Sequence, residues 1–338
     1  MRLCSKVWTT APVALLPVVL LLLASATQCR AASCTTLAEM PPTDRNALTA
    51  VGARLATAVL AQDYNTLQAS LLPAEAGDWN GIRETAEVGA PLVKGGQVQL
   101  WSIYLLDATS LTAPADTQFF CSNSSGSLTV TVSMRSLPPG RYGVVLANAV
   151  GAPLAGQIGV VLAWDAVSQP GAWKLAGLTV RQGSFDGHDN VWYWTKAREL
   201  AKADQIWSAW YSYEAARYLS LPVDFLSSPN MEKLSQEQAQ LKGSPQDAFP
   251  YSLQDGDRTW KIDGVRLDAS LREADLAVTY ESTGVTDAAA IRTEATAVLS
   301  ALLKAQPGLR QNFHGMWAVA VKDSKQNPVL ELPMGQIP

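Results

Sequence analysis

Apolar residues recur at two different periods along the chain, and each period predicts a different kind of element. Residues 48–71 carry leucine and valine three or four positions apart, which predicts a helix that ends before Pro73. Between residues 98 and 180 apolar and polar positions alternate, which predicts five or six antiparallel strands. The stretch between the helix and the strands is predicted to be a loop because it holds Gly77, Gly81 and Gly89.

The next segment holds an unusual share of the aromatic residues. Residues 192–221 contain four of the 11 tryptophans and four of the nine tyrosines. Their spacing predicts two helices with a break at 202–205. Asp189 or Asn190 is placed to cap the first helix, and Pro222 to end the second. An aromatic helical hairpin is therefore expected.

Small and large residues follow one another along this hairpin as Tyr193, Ala197, Leu200, Ala209, Tyr213 and Ala216. The spacing resembles that of a single tetratricopeptide repeat over roughly thirty residues. Such units are stabilised by stacked neighbours, so the resemblance implies that the hairpin packs against the flanking parts of the chain.

The hairpin also supplies the candidate binding residues. One interpretation buries its rings as packing between two flanking domains, since a tryptophan or tyrosine buries a large apolar area. The other leaves some rings facing solvent, as a surface for a sugar, a peptide or a partner protein. The residues assigned to that surface are Trp192, Trp194, Trp207, Trp210, Tyr211, Tyr213 and Arg217.

The last third of the chain predicts a small two-layer domain. Strand patterns at 260–267 and 276–280 precede a helix at 288–305 capped by Asp287, and further strands follow it, giving ββαββ. The expected fold class is α+β. The predicted divisions are a signal peptide at 1–31, an antiparallel-sheet domain at 40–186, the hairpin at 187–234, a linker at 235–257 and the ββαββ domain at 258–338.

The order of one helix and then strands, closing with Trp-Lys-Leu-Ala-Gly-Leu at 173–178, resembles the cone-shaped α+β family related to nuclear transport factor 2. That resemblance implies a pocket inside the first domain. It implies no reaction, because the family includes enzymes, binding modules and structural units. A His–Asp pair inside the cone would indicate catalysis, and neither histidine falls in the strand series.

The first residues predict export. Arg2 and Lys6 precede an apolar run at 13–26 that ends in Ala-Ser-Ala, a signal-peptide pattern typical of exported bacterial proteins. A retained N-terminal anchor is the alternative. In an oxidising compartment Cys34 is expected to pair with Cys121, and lipid modification of Cys34 is the alternative for that residue. The expected location is periplasmic or secreted.

Charge and motif content restrict the function. The 338 residues have 26 cationic and 30 acidic side chains, a net charge of −4, and no run of lysine and arginine, which argues against nucleic acid and electrostatic membrane docking. No cofactor is expected. No metal site is expected either, because C-x-x-C spacing is absent and the two histidines are far apart. His188 is interpreted as part of a capped turn and His314 as a surface or strand-end residue.

These observations predict an exported, non-catalytic binding or interaction protein of the cell envelope. Its ligand would be an envelope protein or a small molecule, held by the aromatic hairpin and an adjoining groove. The alternatives are a structural envelope component and an extracytoplasmic hydrolase that acts on an envelope polymer with paired carboxylates. The sequence does not indicate the oligomeric state.

Overall fold

Three helices cover one face of a five-stranded antiparallel sheet in the first half of the chain. The computed structural model describes residues 32–167, 170–322 and 325–338. The sheet has the order β1-β2-β5-β6-β7, and each neighbouring pair is antiparallel. The elements are β1 Ser33–Thr36, α1 Pro42–Ala61, α2 Tyr64–Ala69, α3 Trp79–Val93, β2 Gln97–Asp107, β3 Ala115–Ser122, β4 Leu128–Leu137, β5 Arg141–Val150, β6 Gln157–Asp165 and β7 Ala172–Arg181.

A second sheet covers the other face of the first. It contains β3, β4 and a two-residue strand, β8 (Leu226–Ser227), which comes after the aromatic hairpin in the chain. The central strand β2 therefore contributes to two cores. Ile103 and Leu105 pack on the helices, while Tyr104 and Leu106 pack on the second sheet. A segment covered on both faces has little need of polar positions, and residues 103–106 of β2 are accordingly a continuous apolar run, Ile-Tyr-Leu-Leu.

The predicted loop around Gly77, Gly81 and Gly89 is wrong for most of its length. Helix α3 runs through it from Trp79 to Val93. Gly89 is part of the packing of this helix, because a Cβ built there would lie 2.3 Å from Cβ of Val180 in β7. The glycine permits a close approach of helix and sheet and does not mark a break.

A disulfide joins the two sheets of this half. Cys34 in β1 is bonded to Cys121 in β3, as the sequence led us to expect. Lipid modification of Cys34 would need the same sulfur atom, which is occupied by this bond. The predicted signal peptide at 1–31 lies outside the described residues. No helix within the described ranges is long and apolar enough to cross a membrane.

The two predicted helices of the hairpin are present, as α4 (Asn190–Lys202) and α5 (Ile206–Ser220). The Asp189 carboxylate caps α4 by accepting a hydrogen bond from the Trp192 amide at 2.9 Å. Helix α5 ends two residues before Pro222, where a helix cannot continue without losing a hydrogen bond. Two more helices follow, α6 (Pro229–Ala239) and α7 (Pro245–Ala248).

The rest of the chain forms a five-stranded sheet in the order β13-β12-β11-β10-β9. The sequence predicted four strands, and the fifth, β9, lies in the stretch interpreted as a linker. Helix α8 lies where the sequence placed it, and it connects β11 to the parallel strand β12. The α+β fold class is confirmed. The elements are β9 Tyr251–Asp255, β10 Arg258–Asp268, β11 Asp275–Glu281, α8 Ala288–Ala305, α9 Gly308–Asn312, β12 Gly315–Lys322 and β13 Lys325–Pro333.

Candidate functional site

The seven residues predicted to form a binding surface lie in different environments. The buried ones, each at most 6% exposed, are Trp207, Tyr211 and Tyr213. The half-buried ones are Trp194 and Trp210. The exposed ones are Trp192, at 39%, and Arg217. The seven side chains therefore do not share one exposed surface.

The buried rings hold the hairpin to the C-terminal sheet. Trp207 packs edge-on against Phe249, with ring centroids 5.7 Å apart. Tyr211 donates a hydrogen bond from its hydroxyl to the Val265 carbonyl in β10 at 3.1 Å. Both rings belong to the core that the hairpin shares with that sheet. For these residues the packing interpretation agrees with the structure.

Trp194 and Tyr213 are engaged by one carboxylate, that of Glu237 in α6. Its Oε2 accepts hydrogen bonds from Trp194 Nε1 at 2.8 Å and from the Tyr213 hydroxyl at 3.4 Å. Arg198 donates to both carboxylate oxygens at 2.8 Å, and its guanidinium lies 4.4 Å from the Trp194 ring centroid. This arginine, followed by Trp194 and Tyr213, lowers the pKa of Glu237 to about 2 against its burial. The cluster fixes α6 to both hairpin helices.

Trp210 and Arg217 line a cleft of about 470 Å³ between α5, the end of β7 and the middle of β10. We call it the arginine cleft. Its charged residues are Arg181, Arg217, Arg266, Glu214 and Asp224, and its aromatic residues are Trp210, Tyr211 and Tyr218. This volume is within the range of small-molecule sites. The cleft lies beside the hairpin, which is where the sequence analysis expects a binding groove.

The guanidinium groups of the arginine cleft are held in place by carboxylates. Arg181 donates two hydrogen bonds to Asp224, at 2.8 and 2.5 Å, and this arginine lowers the pKa of Asp224. Arg217 donates to Glu214 on the same helix. A guanidinium has five N–H donors, so these pairs leave both donors and acceptors for a ligand. The cleft is a fixed array of planar polar groups.

Trp210 supplies the unoccupied aromatic face of this cleft. Tyr218 is already stacked with Phe185, with centroids 5.6 Å apart, and the Arg181 guanidinium lies 5.3 Å from its ring. Tyr211 is 1% exposed. Within the described ranges, by contrast, no ring or cation lies within stacking distance of Trp210.

A second cleft, of about 410 Å³, lies beside the first half of α4 and contains both histidines. We call it the histidine cleft. The His188 ring stacks on the Trp192 ring with centroids 3.8 Å apart and planes 10° apart. The charged residues that line it are Asp186, Lys196 and Glu273, and among the described residues none of the three makes an ion pair.

His314 is held by a buried carboxylate. Its Nδ1 lies 2.9 Å from Oδ1 of Asp275, whose side chain is fully buried. That hydrogen bond, opposed by burial, raises the pKa of His314. The backbone fixes the position as well, because the His314 amide donates to Ala274 at 3.0 Å and its carbonyl accepts from Met334 at 2.8 Å.

The sequence missed this histidine cleft. His188 follows β7 and His314 precedes β12, so only the docking of the hairpin on the C-terminal sheet brings them together. His314 lies directly before β12 and its side chain is 45% exposed, which agrees with its interpretation as a surface or strand-end residue, but that interpretation did not include the hydrogen bond to a buried acid. One signal was available. Asp275 opens a predicted apolar strand, and a buried acid requires a partner.

Within the part of the chain that the structure describes, no group of three or more histidine, cysteine, aspartate and glutamate side chains is arranged to hold a metal ion. No protein-family model matches the chain, and neither the curated proteins nor the solved structures compared with it gave a match.

Proposed function

We propose that this chain is an exported binding protein of the cell envelope and that a saccharide occupies the arginine cleft. The observation that carries the proposal is the half-buried Trp210 ring, which has no stacking partner among the described residues and lies in a cleft lined by paired arginines and carboxylates. An aromatic ring with one free face is suited to a ligand that is apolar on one side and polar at its edge.

A saccharide fits this cleft better than a strongly charged ligand does. The five charged lining residues carry a net charge of +1. Because Arg181 and Arg217 are already neutralised by Asp224 and Glu214, a ligand anion would have to displace a carboxylate. Hydroxyl groups both donate and accept hydrogen bonds, so a polyhydroxylated ring can use the pairs as they stand.

The disulfide supports the location. Bonds of this kind form and persist in oxidising compartments, so Cys34–Cys121 fits an extracytoplasmic protein. The periplasm or the exterior of a bacterial cell is the proposed site of action, and the signal-peptide pattern in the sequence supports it.

A structural role in the envelope is the second candidate. It is favoured by the burial of Trp207, Tyr211 and Tyr213, because these three rings pack in the core and are closed to a ligand. In that case the arginine cleft would bind nothing and its ion pairs would only connect α5 to its neighbours.

Calorimetric titration of the folded chain tests the proposal. The probes are chitotetraose, an oligogalacturonate and an acidic peptide of similar length, with tryptophan fluorescence as a second readout. We expect saturable binding of the neutral chitotetraose and weaker binding of the two anionic probes, and Trp210→Ala should weaken chitotetraose binding at least tenfold, about 1.4 kcal/mol. The matched control is Trp101→Ala, because Trp101 is 42% exposed in β2 and does not line the cleft.

Three outcomes would contradict the proposal. Equal saccharide affinity in folded Trp210→Ala and wild-type chains would remove the cleft as the site. Binding of the peptide alone would show that the ligand class is wrong. Binding of none of the probes would favour the structural role.

A further inference from the structure

The histidine cleft is chemically unlike the arginine cleft. In the arginine cleft Arg181, Arg217 and Arg266 all have carboxylate partners. In the histidine cleft, imidazole, ammonium and carboxylate groups meet without ion pairs among the three charged lining residues of the described chain. Mixed titratable groups in one opening are typical of sites that move protons.

The geometry around His314 is that of a positioned base. Nδ1 is occupied by Asp275 at 2.9 Å, and Nε2 has no hydrogen-bond partner among the described residues. A carboxylate on Nδ1 fixes the tautomer that carries its proton on that nitrogen and leaves the Nε2 lone pair available. It also stabilises the imidazolium that forms when Nε2 accepts a proton.

Asp275, the acid that holds the imidazole, lies in an environment that disfavours its negative charge. Oδ2 of Asp275 is buried and has no hydrogen-bond partner in the described ranges. Glu331 in β13 is a neighbour, and its burial, with the nearby Asp275 charge, raises the pKa of its carboxyl. Glu273 adds further negative potential at the ring. Protonation of His314 compensates these charges, so the base holds its proton at higher pH than a free imidazole.

We propose that the histidine cleft is a hydrolytic site in which His314 activates water for attack on a small carboxylic ester, with Asp275 as the positioning residue. Nε2 takes a proton from water as the water oxygen forms a bond to the carbonyl carbon. The tetrahedral adduct then breaks its bond to the alcohol oxygen, and that oxygen takes the proton back from Nε2. The products are one carboxylic acid and one alcohol, and the base is regenerated.

The walls of the cleft indicate the class of ester. Trp192, Tyr193 and Phe313 line it, and a volume of about 410 Å³ accommodates a small aryl or acyl ester. Its lining residues include no serine, threonine or cysteine, and we assign the attack to water held at Nε2 of His314. Lys196 supplies positive charge for the oxyanion of the adduct. This proposal is independent of saccharide binding in the arginine cleft and does not use paired carboxylates.

Turnover of para-nitrophenyl acetate by the folded chain tests it. We expect saturable hydrolysis that continues well beyond one equivalent of nitrophenol, which separates turnover from simple acylation of lysines or the chain terminus. His314→Gln keeps a side chain that can donate to Asp275 and should lower kcat/KM about 100-fold or more. The remote control is Glu87→Gln on the exposed face of α3, which should hydrolyse at the wild-type rate.

The pH profile distinguishes the mechanism from a structural effect. The rate should rise with pH as His314 loses its proton, with a midpoint above that of free imidazole because Asp275, Glu273 and Glu331 hold the proton. Asp275→Asn should move the midpoint to lower pH. His188→Gln removes the other imidazole of the cleft and should leave the midpoint where it is.

Each contrary result overturns the proposal. A folded His314→Gln chain with the wild-type rate would show that His314 is not the base. Release of a single equivalent of nitrophenol without turnover would show acylation only. If the pH midpoint shifts in His188→Gln and stays unchanged in Asp275→Asn, the base is His188 and not His314.

Discussion

Glu237 joins three helices through two carboxylate oxygens. From α6 it accepts hydrogen bonds from Trp194 and Arg198 in α4 and from Tyr213 in α5. Two aromatic residues that a sequence pattern assigns to a binding surface are thereby committed to a structural contact. The contact is invisible in the sequence, because Glu237 is one of several polar residues in its segment and nothing marks it as their partner.

Glu237→Gln should therefore destabilise the folded chain. The neutral amide loses the charge-assisted hydrogen bonds from Arg198, and we expect the free energy of unfolding to fall by about 2 kcal/mol at neutral pH. The pKa of Glu237 is lowered on folding, so its contribution is present above the unfolded value of 4.5 and is lost as the pH falls toward about 2.

Urea unfolding of both chains at neutral pH and near the folded pKa measures this effect. The gap between wild type and Glu237→Gln should narrow on acidification, while Glu87→Gln, which removes an exposed pair with Arg83, should change little at either pH. A gap that is absent at neutral pH, or that does not depend on pH, would contradict the assignment.

At the scale of elements, the sequence predicts those helices and strands whose pattern is decided locally. Helix α8 matches its predicted bounds, and α4 and α5 are recovered with the Asp189 cap, because an amphipathic face and a capping residue suffice to define them. Helix α3 was missed because Gly81 and Gly89 were interpreted as chain breaks. The need for glycine at position 89 becomes visible only from the position of Val180 on the facing strand.

Gly89→Ala tests that explanation, because two effects of opposite sign compete. Alanine is the better helix former by about 1 kcal/mol. The added Cβ would lie 2.3 Å from Val180, however, and overpacking of this kind costs about 1–3 kcal/mol. We expect a net loss of stability that Val180→Ala in the same chain relieves.

Gly81→Ala in the same helix is the matched control. A Cβ at Gly81 meets nothing within 4 Å, so the helix propensity of alanine should act alone and stabilise the chain slightly. Thermal unfolding of the wild type and of the three variants measures these differences in stability. If Gly89→Ala raises the melting temperature as much as Gly81→Ala does, α3 does not approach β7 closely enough for a Cβ at position 89 to clash with Val180.

At the scale of the whole molecule, the candidate sites arise from contacts between distant segments. The arginine cleft combines Arg181 of β7, Trp210 of α5 and Arg266 of β10, and the histidine cleft combines residues on either side of the hairpin. Periodicity predicts each element but not which elements meet. Rings of the hairpin line both clefts, while the pairing of His314 with Asp275 could be recognised only after the C-terminal sheet was in place.

The disulfide is the covalent link between the two sheets of the first half, and its removal should greatly lower the free energy of unfolding. Cys34 and Cys121 are 87 residues apart, so the bond removes much of the conformational freedom of the unfolded chain. We expect Cys34→Ala/Cys121→Ala to lose about 3–4 kcal/mol of stability, and reduction of the wild-type chain to lose a similar amount.

The double variant itself should not respond to reductant, which provides the control. The single variant Cys34→Ala also removes the bond and leaves Cys121 as a buried thiol, so it should lose about as much stability as the double variant. Equal stability of the oxidised and reduced chains in urea would mean that the two sheets hold β1 in place without the bond, and an oxidising compartment would then not be needed for folding.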